Sequence, residues 1–257
     1  MTAWQQNLRR RFDRAAAGYD ALAQLQQQSA QRLLMALQPV LASSPKPLNI
    51  LDVGSGTGWL IKQLQAAQPS AWCCALDLSE GMLRSPSAGA NERVQRVCAD
   101  ASVLPMASSA FDLVVSNFAL HWCDDPLQVL NELHRVCVPG GQAFCVIPVS
   151  GSLSARGDTR TTGASLLPLA TWQHALAASP WTLRQADSET YEEFHDSPTA
   201  WLSTLRALGV TAQRPAASVN ALSPRQALQQ LHRRLESARE PAGIPLRYEV
   251  WRIHLQA

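Results

Sequence analysis

The chain has 257 residues, of which 46% are apolar and 16% charged, and its net charge is +2. This length allows one large α/β domain, the composition argues against disorder, and so small a charge does not single out a nucleic-acid partner. Lys46 and Lys62 are the only lysines, so nearly all the positive charge is arginine, which grips carboxylates and phosphates with better geometry than lysine does.

Met1 to Arg14 is polar and basic and lacks the apolar core of a secretory leader. No stretch is long or apolar enough to span a bilayer, so no membrane partner is expected. Residues 4–38 read as helix, with Leu22, Leu25, Leu33, Leu34 and Leu37 near helical spacing among Gln and Ala. Gly18 separates two helices, and Pro39 followed by Ser43-Ser44-Pro45-Lys46-Pro47 ends this arm. Strands and helices then alternate. Leu48 to Val53 is a short strand, followed by a glycine loop and a helix over 59–68. Ala71 to Leu76 is a second strand ending at Asp77, with a helix beginning near Ser79. Val94 to Ala99 leads to Asp100, and Phe111 to Ser116 is a fourth strand. A helix over Pro126 to Cys137 carries Leu127, Leu130, Leu133 and Val136 on one face. Pro139-Gly140-Gly141 turns into a fifth strand, Gln142 to Val149. This alternation predicts an α/β fold with a mostly parallel sheet covered on both faces.

The pattern then loosens. Gly151 to Gly163 reads as a mobile polar loop and Leu166 to Ala178 as a helix. Thr182 to His195 reads as a sixth strand, and Pro198 to Gly209 as a short helix with Trp201, Leu205 and Leu208 as its stripe. Ser223 to Arg239 reads as a polar helix capped by Ser223 with Pro224 at its first position. Leu246 to Leu255 is a final strand. Cys73, Cys74, Cys98, Cys123, Cys137 and Cys145 form no C-x-x-C pair and read as free thiols in a reducing cytoplasm. The six histidines show no ligand spacing, so no metal site is expected.

Leu51-Asp52-Val53-Gly54-Ser55-Gly56-Thr57-Gly58 follows a strand and opens a helix, where glycines let the backbone approach a ligand. Dinucleotide binders favour G-x-G-x-x-G. Here the third glycine comes one residue early, and a bulky Trp59 stands where close helix–strand packing is needed. Asp52 directly before the loop suits a cationic ligand group better than a pyrophosphate. Both features favour S-adenosylmethionine over NAD. Asp52 would attract the positive end of that ligand, Asp77 the two ribose hydroxyls, and Asp100 the adenine amino group. Asn117, after the fourth strand, would lie near the methyl group. Four polar residues then stand at successive strand C-termini, where open α/β sheets bind ligands.

From Leu48 to Val149 these residues resemble the class I methyltransferase family. L-D-V-G-S-G-T-G looks like its first motif and A-L-D-L-S-E-G-M-L its second, while F-D-L-V-V-S-N and R-V-C-V-P-G-G look like later ones. The resemblance implies a Rossmann-like sheet of seven strands, the last one antiparallel and inserted near an edge. It also implies cofactor contacts at Asp52, Gly54, Ser55, Gly56, Gly58, Asp77, Leu78, Met82, Asp100, Ala101 and Asn117. R-R-F-D-R-A-A-A-G-Y-D at the start, S-N-F-A-L-H-W-C-D-D-P, V-S-G-S-L, W-L-S-T-L-R-A-L-G-V and the final L-R-Y-E-V-W extend the similarity further. They resemble the malonyl-acyl-carrier-protein O-methyltransferases of biotin synthesis. A single domain is expected over 1–257: a helical N-terminal arm (1–47), a cofactor core (48–149), a helical lid and acceptor region (150–245) and a final strand (246–257).

The implied reaction methylates the free carboxylate of a malonyl thioester, on an acyl-carrier protein or coenzyme A. Such a carboxylate is already ionised at neutral pH, so the site needs alignment and exclusion of water rather than a base. Tyr19 is the first candidate for the acceptor wall, beside His121 and Trp122. Arg206 is the candidate clamp for the malonyl carboxylate. Arg9, Arg10, Arg11, Arg14, Arg156, Arg160 and Arg214 would give a basic rim for an acidic carrier. Three other readings stand beside this one: a different carboxyl- or C-methyltransferase using the same donor, an NAD-dependent oxidoreductase, less favoured, and a non-catalytic adenosylmethionine-binding module.

Overall fold

The computed structural model describes residues 2–85, 91–155, 166–209 and 224–257. Seven strands form one sheet in the order β3-β2-β1-β4-β5-β7-β6. They are β1 (Asn49–Val53), β2 (Trp72–Asp77), β3 (Val94–Cys98), β4 (Phe111–Asn117), β5 (Cys137–Pro148), β6 (Thr182–His195) and β7 (Ile244–Gln256). The first five are parallel to one another, and β7 runs antiparallel between β5 and β6. The seven-stranded Rossmann-like sheet with an inserted antiparallel strand is therefore present.

Alternation along the strands divides the core in two. Ile50, Leu113, Val115, Phe144, Val146, Leu246 and Val250 face one side, against α3 (Gln24–Ser43), α4 (Trp59–Ala67), α8 (Pro198–Ala207) and α9 (Pro224–Ser237). Leu51, Val53, Val114, Cys145, Ile147, Ile253 and Leu255 face the other, against α6 (Pro126–Val136) and α7 (Leu169–Ala178). Two-residue periodicity with both faces apolar is what a covered sheet demands. Among the described residues no helix is long and apolar enough to cross a membrane.

The N-terminal arm comprises α1 (Ala3–Ala15), a short turn over 16–18, α2 (Tyr19–Leu22) and α3. Thr2 and Gln5 form a reciprocal capping box that starts α1. Pro39 does not end the arm, contrary to the sequence expectation; α3 runs through it to Ser43. The missing N–H falls on an exposed stretch, where water can satisfy the freed carbonyl, and burial of Leu37 and Leu41 holds the helix in line. The Pro139-Gly140-Gly141 segment is likewise no separate turn. β5 starts at Cys137, and the segment forms an irregularity between the pairs Phe111↔Cys137 and Leu113↔Gln142. Gly140, at φ +78, donates to the Ala257 carbonyl there. Leu166 to Pro168 precede α7 rather than opening it. Of the cysteines, Cys98 is exposed and Cys123 half-buried, while the other four are buried. The expected loop over 151–163 lies mostly outside the described residues, as do Ser223, Arg156, Arg160 and Arg214.

Candidate functional site

The C-terminal ends of β1, β2, β3 and β4 open into one cavity of about 1070 Å³, counting the space open to solvent at its mouth. Its wall includes Gly54, Gly56, Asp77, Leu78, Met82, Asp100, Ala101, Asn117, His121 and Trp122 from the sheet side. Gln5, Leu8, Phe12, Tyr19 and Gln26 close it from the N-terminal arm. A smaller recess adjoins it between α3 and the glycine loop, shares Tyr19, Gln26, Gly54, Gly56 and Asn117, and adds Asp52 and Ser55. Gly58 caps α4 at φ 83.

The glycine loop is tied down before any ligand arrives. The Gly54 and Ser55 amides both donate to the Leu76 carbonyl, at 2.8 and 2.9 Å. Gly54 has φ +75, and a Cβ there would lie 2.0 Å from Ala119 Cβ, so no other residue fits. Gly56 has φ +55 but faces open space, which leaves its backbone approachable.

Each acid has a different environment. Asp77 Oδ2 accepts from the Gly56 amide at 2.9 Å and Oδ1 from the Ser79 amide at 2.8 Å. Burial nevertheless pushes its pKa up to about 6, those amides offsetting part and the Asp13 carboxylate adding to it. Asp52 is 1% exposed, and its Oδ2 has no hydrogen-bond partner. Burial pushes it up to about 7, with the nearby Ser55 hydroxyl offsetting part without forming a well-aligned hydrogen bond and Asp77 adding. The Ser55 hydroxyl is itself unpartnered. Asp100 accepts from Gln5 Nε2 at 2.6 Å and from the Ser102 amide at 2.9 Å.

Those features fit S-adenosylmethionine. An orphaned buried carboxylate beside an open glycine backbone suits a cationic ligand group, and the half-buried Asp77 suits a pair of hydroxyls. Both acids have folded pKa values above the ordinary 3.8. Their contribution to stability is therefore complete below about 4 and is lost as pH rises through 6 to 7, where the buried groups must ionise. A cationic donor favours the ionised forms, so its binding expels protons. Donor affinity should rise from pH 5 to 8, by at most about tenfold per unit for each carboxyl titrated. Calorimetry at pH 6.5 in buffers of different ionisation enthalpy should register proton release. A flat affinity profile would remove Asp52 from the cationic end.

Several residues that the sequence reading missed complete the site. Asp13 of α1 accepts from Ser79 Oγ at 2.6 Å and from the Gly81 amide at 2.9 Å, docking α1 on α5 (Glu80–Leu83). Asp20 accepts from the Thr57 hydroxyl and so ties α2 to the glycine loop. Ser29 Oγ donates to Asn117 Oδ1 at 2.7 Å, and the Gln26 carbonyl accepts from Asn117 Nδ2 at 3.0 Å, so Ser29 and Gln26 bind the end of β4, at a residue the sequence did indicate, to α3. Phe118 and Leu153, both lining the cavity, adopt φ values of 56 and 57. Non-glycine residues held in that region are strained by about 1–3 kcal/mol and recur at ligand sites.

Tyr19 lies between cavity and recess, where burial raises its pKa and keeps the hydroxyl protonated. Trp122 packs against Trp4 and Phe12, with ring centroids 6.4 and 5.8 Å apart, and against His121 at 4.6 Å. It therefore joins α1 to the cavity wall. Arg206 does not line the cavity. It is exposed and borders a surface recess with Arg11, Arg14 and Gly18. On α8 it falls off the stripe of Trp201, Leu205 and Leu208, whose burial turns it outward. Among the described residues no group of three or more His, Cys, Asp or Glu is placed to hold a metal.

The methyltransferase domain profile matches residues 51–145. The chain is 33% identical over 256 residues to a malonyl-[acyl-carrier protein] O-methyltransferase of Hahella chejuensis, covering 93% of this chain and 86% of that protein. It is 32% identical to the enzyme of that name from Alcanivorax borkumensis, covering 93% and 82%. A crystal structure described as a methyltransferase from Bacillus halodurans shares the fold, with a TM-score of 0.64, 17% identity and coverage of 89% and 98%.

Proposed function

We propose, on the premise that this chain belongs to the malonyl-[acyl-carrier protein] O-methyltransferase family, that it methylates the free carboxylate of a malonyl thioester. The carrier is an acyl-carrier protein, with malonyl-coenzyme A as the smaller alternative, and the product is the methyl ester that primes pimeloyl and biotin synthesis. The observation that carries this reading is the extent of the similarity. The domain profile covers only the donor half, whereas the relatives match 93% of the chain. That span takes in the arm that closes the cavity and the region after β5, in 150–245, that we assign to the acceptor.

When bound, S-adenosylmethionine supplies a methyl group on a cationic sulfonium, and a carboxylate lone pair can take it while the S–C bond pair stays on sulfur. The chain's own residues bind and align. Asp77 and Asp100 stand at the adenosine end and Asp52 in the recess toward the cationic end. Tyr19, His121 and Trp122 wall the junction. Neither reactant needs to lose a proton, so the site needs no base. Two opposite charges vanish together, and a dry cavity favours such a step because water would stabilise the separated charges. Labelled donor with malonyl-carrier protein and malonyl-coenzyme A tests the reading. A base-labile methyl ester is the expected product; a base-stable methyl group would point to carbon methylation instead.

The recess of Arg11, Arg14 and Arg206 supports a second contact. Gly18 lines that recess while Tyr19 lines the cavity, so the two lie on either side of one turn. Its place suits the phosphodiester of a phosphopantetheine arm, or acidic side chains of the carrier. Arg206→Ala combined with Arg14→Ala should raise KM for malonyl-carrier protein by about 2- to 10-fold, the range for exposed ion contacts, and flatten its salt dependence. Malonyl-pantetheine, which lacks the phosphate and the carrier, should react unchanged. Equal KM in the variant and the parent would dismiss the recess.

A further inference from the structure

Two buried polar groups on the cavity wall are left without partners. Tyr248 of β7 is 3% exposed and Gln26 of α3 is 9% exposed, and both line the cavity. Neither the Tyr248 hydroxyl nor Gln26 Oε1 has a hydrogen-bond partner. Leaving a buried polar atom unpaired costs about 1–3 kcal/mol, so two such atoms together on one cavity wall point to a ligand that pairs them. Their placement is firm. The Gln26 backbone is tied to Asn117, and the Tyr248 ring stands edge-on to Phe118 at 5.4 Å. Burial keeps the Tyr248 hydroxyl protonated, the Glu193 carboxylate and Tyr19 adding to the effect, and the nearby Gln26 side chain offsets part of it without forming a well-aligned hydrogen bond. Tyr248 is thus a hydrogen-bond donor, not a base. Among the described residues that line the cavity there is no Lys or Arg.

We propose that Tyr248 and Gln26 are the acceptor-binding pair: the Tyr248 hydroxyl donates to the carboxylate oxygen that is not methylated, and Gln26 Oε1 accepts from an amide N–H of the pantetheine arm that carries the malonyl group. This rests on the malonyl reading given above. A neutral donor such as the Tyr248 hydroxyl orients a carboxylate without cancelling the charge that makes its other oxygen nucleophilic, which a guanidinium in bidentate contact would partly do. It also favours turnover. A hydrogen bond to a charged group is roughly twice as strong as a neutral one, so conversion to an ester loosens the grip on the product.

The test is Tyr248→Phe, which removes one unpartnered oxygen and keeps the ring packing, so the thermal transition should hold or rise. The expected result is a loss of about 10- to 100-fold in kcat/KM for malonyl-carrier protein, the range for a hydrogen bond to a charged group. The loss should be carried chiefly by KM and be the same with malonyl-coenzyme A. The affinity for S-adenosylhomocysteine, measured by calorimetry, should be unchanged. Gln26→Met, of similar volume, should act in the same direction and serves if the first variant folds poorly. Parent-like kinetics in both variants would overturn the assignment. A matching loss of S-adenosylhomocysteine affinity would overturn it too, by moving the pair to the donor end. If the unaltered enzyme transfers no methyl to any malonyl thioester, the malonyl reading itself fails and this contact falls with it. Normal transfer by the unaltered enzyme with unaffected variants removes the contact alone.

Discussion

Asp77→Ala is expected to weaken S-adenosylmethionine binding by about 100-fold or more while leaving the protein folded. The carboxylate stands at the end of β2 and does two jobs at once. It accepts the Gly56 and Ser79 amides and so holds the glycine loop against the start of α5. It is also the acid we assign to the ribose hydroxyls. Charge-assisted hydrogen bonds are worth about 1.5–3 kcal/mol each, so losing two to the ligand and loosening the loop compound one another. Asp77→Asn separates these effects, because the amide carbonyl still accepts one backbone N–H but carries no charge. The calorimetric order should be parent, then Asn, then Ala. Parent-like affinity in a folded Ala variant would take Asp77 out of the site.

The second large effect concerns the arm, and the structure changes where it must be cut. From the sequence, deleting Met1 to Gln38 looks like removal of a lid from an intact sheet. The structure contradicts that expectation. Leu25, Leu33, Leu37 and Leu41 of α3 are 0–3% exposed and belong to the core on one face of the sheet. That deletion removes Leu25, Leu33 and Leu37 and uncovers Leu41; losing three such buried side chains forfeits about 4.5–9 kcal/mol, comparable to what a whole domain is usually stable by. The lid is α1 alone, whose one fully buried residue is Leu8. Deleting Met1 to Ala15 removes Gln5 from Asp100, Asp13 from Ser79 and Gly81, and Trp4 and Phe12 from Trp122. A cooperatively folded protein with turnover reduced by about 100-fold or more is expected, because closing elements exclude water and complete the site. Circular dichroism and the thermal transition establish folding, and turnover is then measured with the malonyl substrate. Full activity in the truncated protein would deny α1 any role in closure. Loss of the folded state would show that α1 is part of the core.

The donor half of the site was legible in the sequence for a local reason. Asp52, Asp77, Asp100 and Asn117 each sit at or just beyond a strand end, and in a parallel sheet every such end opens on the same edge. Strand periodicity and a glycine loop therefore suffice to gather them. Gln26, Asp13 and Gln5 give no such signal. Each lies in a helix of polar composition, and its task depends on which way that helix docks. The arginine at 206 could have been read better, since it stands off the apolar stripe of its own helix.

By itself, the sequence determined the alternating α/β order, the parallel core, the adenosylmethionine loop and the family. All of these follow from spacing along the chain and from side-chain chemistry over a few residues. Only the tertiary structure decided three further points: that α3 is core and α1 the lid, that Arg206 faces outward, and that Tyr248 and Gln26 line the same cavity. Each depends on contacts between residues far apart in the chain. Periodicity states which face of a helix or strand is apolar but not which partner covers it. The insertion of β7 between β5 and β6 brings Tyr248 to a helix that precedes it by about 220 positions. That pairing is stable because β7 completes both apolar faces of the sheet at once, and no local pattern encodes that condition.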